Sequence, residues 1–227
     1  MLVTVESLLT GTEVANFRQV LANAGWDDGN RTSGVQSALA KHNLQLPEES
    51  PEAQELGNII LRKLGSDPTF NAAALPLRVF PPLFNRYDAG MGFGSHVDNA
   101  IRYHGGTRQR FRTDVSATLF LSDPDSYDGG ELVIEDDYGE HSVKLGAGDM
   151  VIYPSDSLHH VRPVTRGSRW ASFFWTQSMV RDDGNRALLY RFDRSITLAR
   201  AEMGDSHPAV LGLTSTYHNL LRKWSEL

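Results

Sequence analysis

"RTDVSATLFLSD", residues 112–123, decides the fold class. Val115, Ala117, Leu119 and Leu121 fall on one face at a spacing of two, the period of a β-strand. The same texture extends outward in both directions. Upstream, "LPLRVFPPLFNRY" (75–87) is apolar and extended, and its prolines suggest a sheet edge. "FGSHVDNA" (93–100) reads as a short strand. Downstream, "GGELVIEDDYGEHSVKL" (129–145) reads as a hairpin turning near Asp136–Gly139. "GDMVIYP", "LHHVRPV" and "RWASFFWTQSMV" supply three more strands. About eight short strands split by Gly, Pro and Asp predict a double-sheet jelly roll between residues 77 and 180.

Helical periodicity brackets this core. Val14, Phe17, Val20 and Leu21 form a stripe, with Thr12 as the expected N-cap and Gly25 as the stop. A second helix is expected from Pro51 to Leu64, carrying Leu56, Ile59 and Ile60 and ended by "GSDP". After residue 180, Leu188, Leu189, Phe192, Ile196 and Ala199 form one stripe. Val210, Leu213, Tyr217, Leu220, Leu221 and Trp224 form another. The expected organisation is therefore a helical and strand extension over 1–76, the β core over 77–180 and a helical region over 181–227. The terminal helices are expected to pack on the core; pairing into a homo-oligomer is left open.

Composition narrows the class. The chain has 227 residues, 40% hydrophobic and 22% charged, ordinary values for a globular domain that folds without staples. A net charge of −6 argues against a nucleic-acid partner. Without cysteine there is no disulfide scaffold, no thiolate zinc site and no thiol nucleophile. The first residues, "MLVTVESLLTGTEV", lack a basic, apolar leader, and no stretch approaches a membrane span, so a cytoplasmic protein is expected.

The chemistry concentrates in two places. His96 and Asp98 stand two apart, and on an extended strand such residues share a face. An imidazole and a carboxylate are two parts of the 2-His-1-carboxylate set that binds non-haem Fe(II). By itself, H-x-D is as readily a surface pair. The candidate third ligands are the adjacent His159 and His160; strand alternation lets at most one of them face the site. Arg169 follows His159 by ten positions, across the "TRGS" turn, and opens an otherwise buried run. A guanidinium there suits the far carboxylate of a small dicarboxylate.

These residues carry a resemblance. H-x-D, then H-x-V-x-P-V, then an arginine ten residues after the second histidine resembles the Fe(II)- and 2-oxoglutarate-dependent dioxygenases. The nearest likeness is to the prolyl/lysyl-hydroxylase branch and its bacterial PKHD-type hydroxylases, some of them linked to iron uptake. The matching stretches are "NRYDAGMGFGSHVDNA", "SATLFLSDPDSYDGGEL", "GDMVIYPSDSLHHVRPVTRGSRWASFFWTQSMVR" and "RALLYRFDRSI". The resemblance implies a double-stranded β-helix. It makes His96, Asp98 and His159 the iron ligands, Arg169 the 2-oxoglutarate anchor and Tyr87 a neighbour of that cosubstrate. It selects His159 over His160, and it implies O2, Fe(II), 2-oxoglutarate and L-ascorbate as the small molecules used. The product would be a hydroxylated peptidyl or free amino acid, or a hydroxylated small metabolite, with succinate and CO2.

Other features are weaker. The connection 99–114 is long and basic, and Arg102, Arg108, Arg110 and Arg112 are candidates to meet a carboxylated substrate, Arg102 foremost; a solvated loop fits as well. "YDGGEL" (127–132) reads as a structural turn, and "EDDYGE" and "RDD" as turn or cap acids. His42, His104, His141, His207 and His218 lack partners at ligand spacing. The rival readings are a cupin-like metalloenzyme that does not use 2-oxoglutarate, for which Arg169 is not required, and a non-catalytic iron-binding or sensing module.

Overall fold

A computed structural model describes residues 1–32, 41–103 and 109–227. Two antiparallel sheets face each other, and helices cover one of them. The larger sheet runs in the order Val3–Val5, Met150–Pro154, Val115–Phe120, Ser168–Ser178, Leu83–Asp88, Leu44–Gln45, Asp27–Asp28, with Pro76–Val79 also paired to the long strand Ser168–Ser178. The smaller sheet runs Gly139–Val143, Leu132–Asp136, Leu158–Val161, Gly92–His96, Lys41–His42. Two further two-stranded pieces are Asp128–Gly129 with Val164–Arg166, and Ile101–Tyr103 with Arg110–Arg112.

The alternation of residues 115–121 builds these layers. Val115, Ala117, Leu119 and Leu121 join Met150, Ile152, Phe84 and Phe174 on the outer face of the larger sheet. Helices α1 (Gly11–Ala22), α2 (Pro51–Ser66) and α3 (Pro68–Ala74) close that face with Phe17, Leu21, Ile60, Leu64 and Phe70. Each such side chain, removed wholly from water, contributes about 1.5–3 kcal/mol. The opposite parity points inward: Tyr87, Phe120, Val151 and Tyr153 meet Leu132, Ile134 and Val161 of the smaller sheet.

Several expectations change. Helix α1 is capped by Thr10, not Thr12. The Thr10 side chain accepts from the Glu13 amide (3.3 Å) and Glu13 Oε2 accepts from the Thr10 amide (2.8 Å). A reciprocal box needs the acid three residues on, and only Thr10 has it. The helix ends at Ala22, before Gly25. "GSDP" ends α2 but also starts α3, since Asp67 caps α3 and Pro68 occupies its first position. Of the prolines of 75–87, Pro76 opens the edge strand Pro76–Val79, whereas Pro81 and Pro82 only separate two strands, and Leu83–Asp88 is interior to the larger sheet. Twelve strands, Leu83–Asp88 to Ser168–Ser178, stand among the described residues of 77–180 where about eight were expected, because several are two- or three-residue pieces too short to show a period.

Helix α4 (Asp183–Met203) packs on α3 and on α5 (Pro208–Trp224), and Leu189 and Val180 cluster with Leu75, Tyr217, Leu221 and Trp224. Tyr190 of α4 also packs against the core on the outer face of the larger sheet. Leu188, placed on the buried stripe from sequence, is 52% exposed, whereas Arg186 is buried and donates to the carbonyls of Val180 (2.8 Å) and Arg181 (2.6 Å). No helix among the described residues is long and apolar enough to cross a membrane.

Candidate metal and cosubstrate site

The inner faces of the two sheets line one cavity, and the residues singled out from sequence meet there. His159 comes from Leu158–Val161, Tyr87 from Leu83–Asp88 and Arg169 from Ser168–Ser178. His96 is the last residue of Gly92–His96; Val97 and Asp98 follow as irregular chain, so the H-x-D pair does not rest on strand alternation as expected. A bulge sets the register instead. His159 pairs with His96 while Val161 pairs with Phe93, so a two-residue step on one strand faces a three-residue step on the other. That extra residue lets Phe93 and His96, three apart, both enter the cavity, where their rings stack with centroids 3.7 Å apart.

Ligand atoms of His96, Asp98 and His159 all lie within 4.8 Å of one another, a group able to hold a metal ion. The surrounding bonds orient each ligand. His96 Nδ1 lies 2.9 Å from the Gly94 carbonyl, and His159 Nδ1 lies 3.0 Å from the Ser157 carbonyl. A carbonyl only accepts, so both Nδ1 atoms carry the proton and both Nε2 atoms keep a lone pair for a metal. Asp98 Oδ2 accepts from Ser116 Oγ (2.6 Å) and Trp175 Nε1 (2.9 Å), while among the described residues Oδ1 accepts no hydrogen bond. Because that hydroxyl proton goes to the carboxylate, Ser155 Oγ donates in turn to Ser116 Oγ at 2.8 Å. Burial, reinforced by the neighbouring His159, lowers the His96 pKa to about 4, so its ring is neutral, as a ligand must be.

Arg169 is the largest fully buried side chain, 1% exposed. Its guanidinium carbon lies 5.4 Å from the Tyr87 ring and 5.2 Å from the Phe120 ring, and Nε has no hydrogen-bond partner. Among the described residues no carboxylate pairs with it. A permanently charged fork buried without an anion is expensive, so the arrangement fits a site that receives one. Gly130 makes room for it: with φ +68° it bends the chain, and a Cβ there would stand 3.2 Å from Arg169 Cδ and 2.9 Å from Val164 Cγ2. Burial pushes the Tyr87 and Tyr153 phenols above their usual range, so both stay neutral.

The remaining expectations separate by position. His160 points to the other face of the smaller sheet, with Nδ1 3.7 Å from Glu135 Oε1. In the basic connection, Arg102 lines the cavity. Arg112 instead pairs with Asp114 at 2.7 Å, Arg110 is exposed, and Arg108 and His104 lie outside the described residues. His141 pairs with Asp136 at 2.8 Å and His207 caps α5, so neither contributes to the site. Asp136 accepts from the Tyr138 amide in its turn, and Asp182 caps α4. Sequence reading missed Ser116, Tyr153, Trp175 and Lys41. The first three were reachable, since Ser116 opposes the outward 115–121 parity and Trp175 shares the parity of Arg169.

Comparison with known proteins agrees with this geometry. Residues 82–177 match the 2OG-Fe(II) oxygenase superfamily and residues 183–226 match the PKHD-type hydroxylase C-terminal domain. The chain is 66% identical over its full length, and that of its relative, to a PKHD-type hydroxylase of Gluconobacter oxydans. It is 61% identical, with the same complete coverage, to one of Methylobacterium nodulans. Among solved structures, a Pseudomonas putida prolyl-4-hydroxylase superposes with TM-score 0.54 at 22% identity, covering 78% of this chain and 92% of that one. HygX of Streptomyces hygroscopicus, solved with nickel and 2-oxoglutarate, gives 0.52 at 16% identity over 76% of this chain and 81% of that one. At these identities the structural likeness speaks for the fold.

Proposed function

We propose a mechanism for this chain, which belongs to the PKHD-type hydroxylases of the 2OG-Fe(II) oxygenase superfamily: its two facing sheets form a double-stranded β-helix that holds Fe(II) on His96, Asp98 and His159. Arg169 receives the distal carboxylate of 2-oxoglutarate, and Tyr87 borders it. The reading rests on one observation above the rest. Two imidazoles with their Nδ1 protons tied to carbonyls, and a carboxylate with one oxygen tied down, converge in the cavity that also contains a buried, anion-free arginine.

The donor set, two imidazole nitrogens and one carboxylate oxygen, would suit Fe(II). Bound Fe(II) supplies the redox chemistry by which O2 and 2-oxoglutarate are converted to succinate and CO2 while a substrate C–H becomes C–OH. The chain's own residues do the positioning. Ser116 and Trp175 hold the Asp98 carboxylate beside His96 and His159, where it would serve as the third ligand. Arg169 orients the cosubstrate through a charge-assisted pair. Phe93, Tyr153 and Leu132 wall the cavity and limit water. The substrate is an amino-acid residue, a free amino acid or a small metabolite, and ascorbate is the expected reductant that restores Fe(II).

The test is succinate formation by purified protein with Fe(II), O2 and 2-oxoglutarate, alongside the absorption band of the anaerobic Fe(II)–2-oxoglutarate complex. Neither succinate nor the band would sink the proposal. A band without succinate under any substrate would favour a binding module.

A further inference from the structure

Arg169 accounts for one of three cations that line the cavity; Lys41 and Arg102 are the others, and Asp98 is the single carboxylate among the lining residues. Fe(II) and doubly charged 2-oxoglutarate would cancel each other, so loading the site leaves this positive excess in place. The two extra cations differ in what they do. Lys41 Nζ donates to the Gly29 carbonyl (2.8 Å) and to Gln45 Oε1 (3.0 Å), which fixes it in the wall. Arg102 is held mainly by its flat face. Its guanidinium carbon stands 4.2 Å from the Trp175 ring and 5.1 Å from the Phe80 ring. Its Nε is buried without a hydrogen-bond partner. Glu48 pairs with it loosely, at 3.8 Å and beyond hydrogen-bond reach, and Asp98 acts on it through space.

Stacking on aromatic rings holds a guanidinium plane while leaving its N–H edge available. The same Trp175 donates to Asp98, so Arg102 is one side chain removed from the metal ligands. Its backbone position follows Asp98 by four residues, on the strand Ile101–Tyr103, and Arg169 is on a different strand of the larger sheet. The cavity therefore offers a second fork for an anion, distinct from the one that takes the cosubstrate.

We infer that the prime substrate presents a carboxylate to Arg102, which makes Arg102 the residue that selects carboxylates over their neutral amides. This rests on the function proposed above. It narrows the substrate to a free amino acid, a carboxylate metabolite, or an acidic or C-terminal peptide residue, and away from an internal, uncharged peptide segment.

The experiment uses full-length protein loaded with Zn(II) and saturating 2-oxoglutarate, so that Arg169 is occupied and nothing turns over. Propionate and propionamide are the probes. The readout is the indole N–H resonance of Trp175, assigned by its loss in Trp175→Phe. We expect propionate to shift it saturably, propionamide to leave it unmoved, and Arg102→Gln to weaken propionate about tenfold or more, the worth of one charged hydrogen-bond pair. Arg102→Lys, keeping charge without the fork, should fall between. Equal propionate binding in wild type and Arg102→Gln would place the anion on the metal and overturn the inference, as would an equal response to the amide. The Fe(II)–2-oxoglutarate band separates the two levels. Its absence from wild type removes the proposed function together with this inference, whereas a normal band with no role for Arg102 removes this inference alone.

Discussion

Trp175→Phe isolates what a hydrogen bond to the proposed metal-binding carboxylate, Asp98, is worth. The substitution removes the 2.9 Å bond from Nε1 to Asp98 Oδ2 but keeps an aromatic ring against Phe80, Phe173 and Arg102. A hydrogen bond to a charged group contributes about 1.5–3 kcal/mol. The 2.6 Å bond from Ser116 survives, so Asp98 stays tethered at one point and loses its second. Metal affinity should therefore fall about 10- to 100-fold, the usual cost of losing an outer hydrogen bond to a ligand. Anaerobic titration with Mn(II) or Fe(II), followed by the 2-oxoglutarate complex, measures it directly. Ser116→Ala should cost a comparable factor, and the double variant should lose more than the product of the two, because the last anchor then goes. If Trp175→Phe binds metal within about twofold of wild type while melting normally, the carboxylate is not held as described and the ligand assignment of Asp98 loses its support.

Three further outcomes are expected. His159→Ala should abolish Fe(II) binding and His160→Ala should leave it near wild type, measured by the same titration; equal losses would mean that the register of Leu158–Val161 is wrong. Arg169→Gln should raise the 2-oxoglutarate concentration needed for succinate release about 100-fold with metal affinity retained, since two charged hydrogen bonds are lost together; an unchanged requirement would move the cosubstrate elsewhere. Glu13 is held from an ordinary 4.5 down to about 2 by Lys63 and by Thr10. A lowered acid stabilises the fold above its unfolded pKa and loses that stabilisation as the pH falls towards its folded one. Glu13→Gln should thus lower the melting temperature by about 1–3 °C at neutral pH, a surface pair's worth, and the difference should close between pH 4.5 and 2.

How much of this was legible in the sequence varies by element. The parity of residues 115–121 placed the helix-facing side of a central strand. The ten-residue step from His159 to Arg169 placed two site residues on successive pieces of sheet, and the turn of the 129–145 hairpin falls at Asp137–Tyr138 as read. Long strands and long amphipathic helices repeat their pattern often enough to be seen. The bulge opposite His159 was not visible, because a single extra residue leaves no periodic trace, and so the convergence of His96 and Asp98 was anticipated by the wrong route. Lys41 and the pairs 41–42 and 44–45 escaped for the same reason: two residues carry no period, and only the sheets they join define them as strands. Arg102 was marked by its charge, but its stacking on Trp175 depends on contacts between segments more than seventy residues apart.

The pairs 41–42 and 44–45 act as fasteners. Lys41–His42 adds to the strand that ends in His96, and two residues later Leu44–Gln45 adds to the strand that carries Tyr87. Five consecutive residues thus stitch one sheet to the other, and Asn43 between them forms part of the cavity wall. The stretch that matches the oxygenase superfamily, 82–177, begins well after this stitch. Cut out by itself, it would expose two raw β-edges on the same side of the molecule, open to pairing with further copies, and it would leave the His96 end and the Tyr87 end of the cavity free to part. The smallest unit that can keep its two halves in register therefore reaches back at least to Lys41, so the catalytic domain is larger than its recognisable motif.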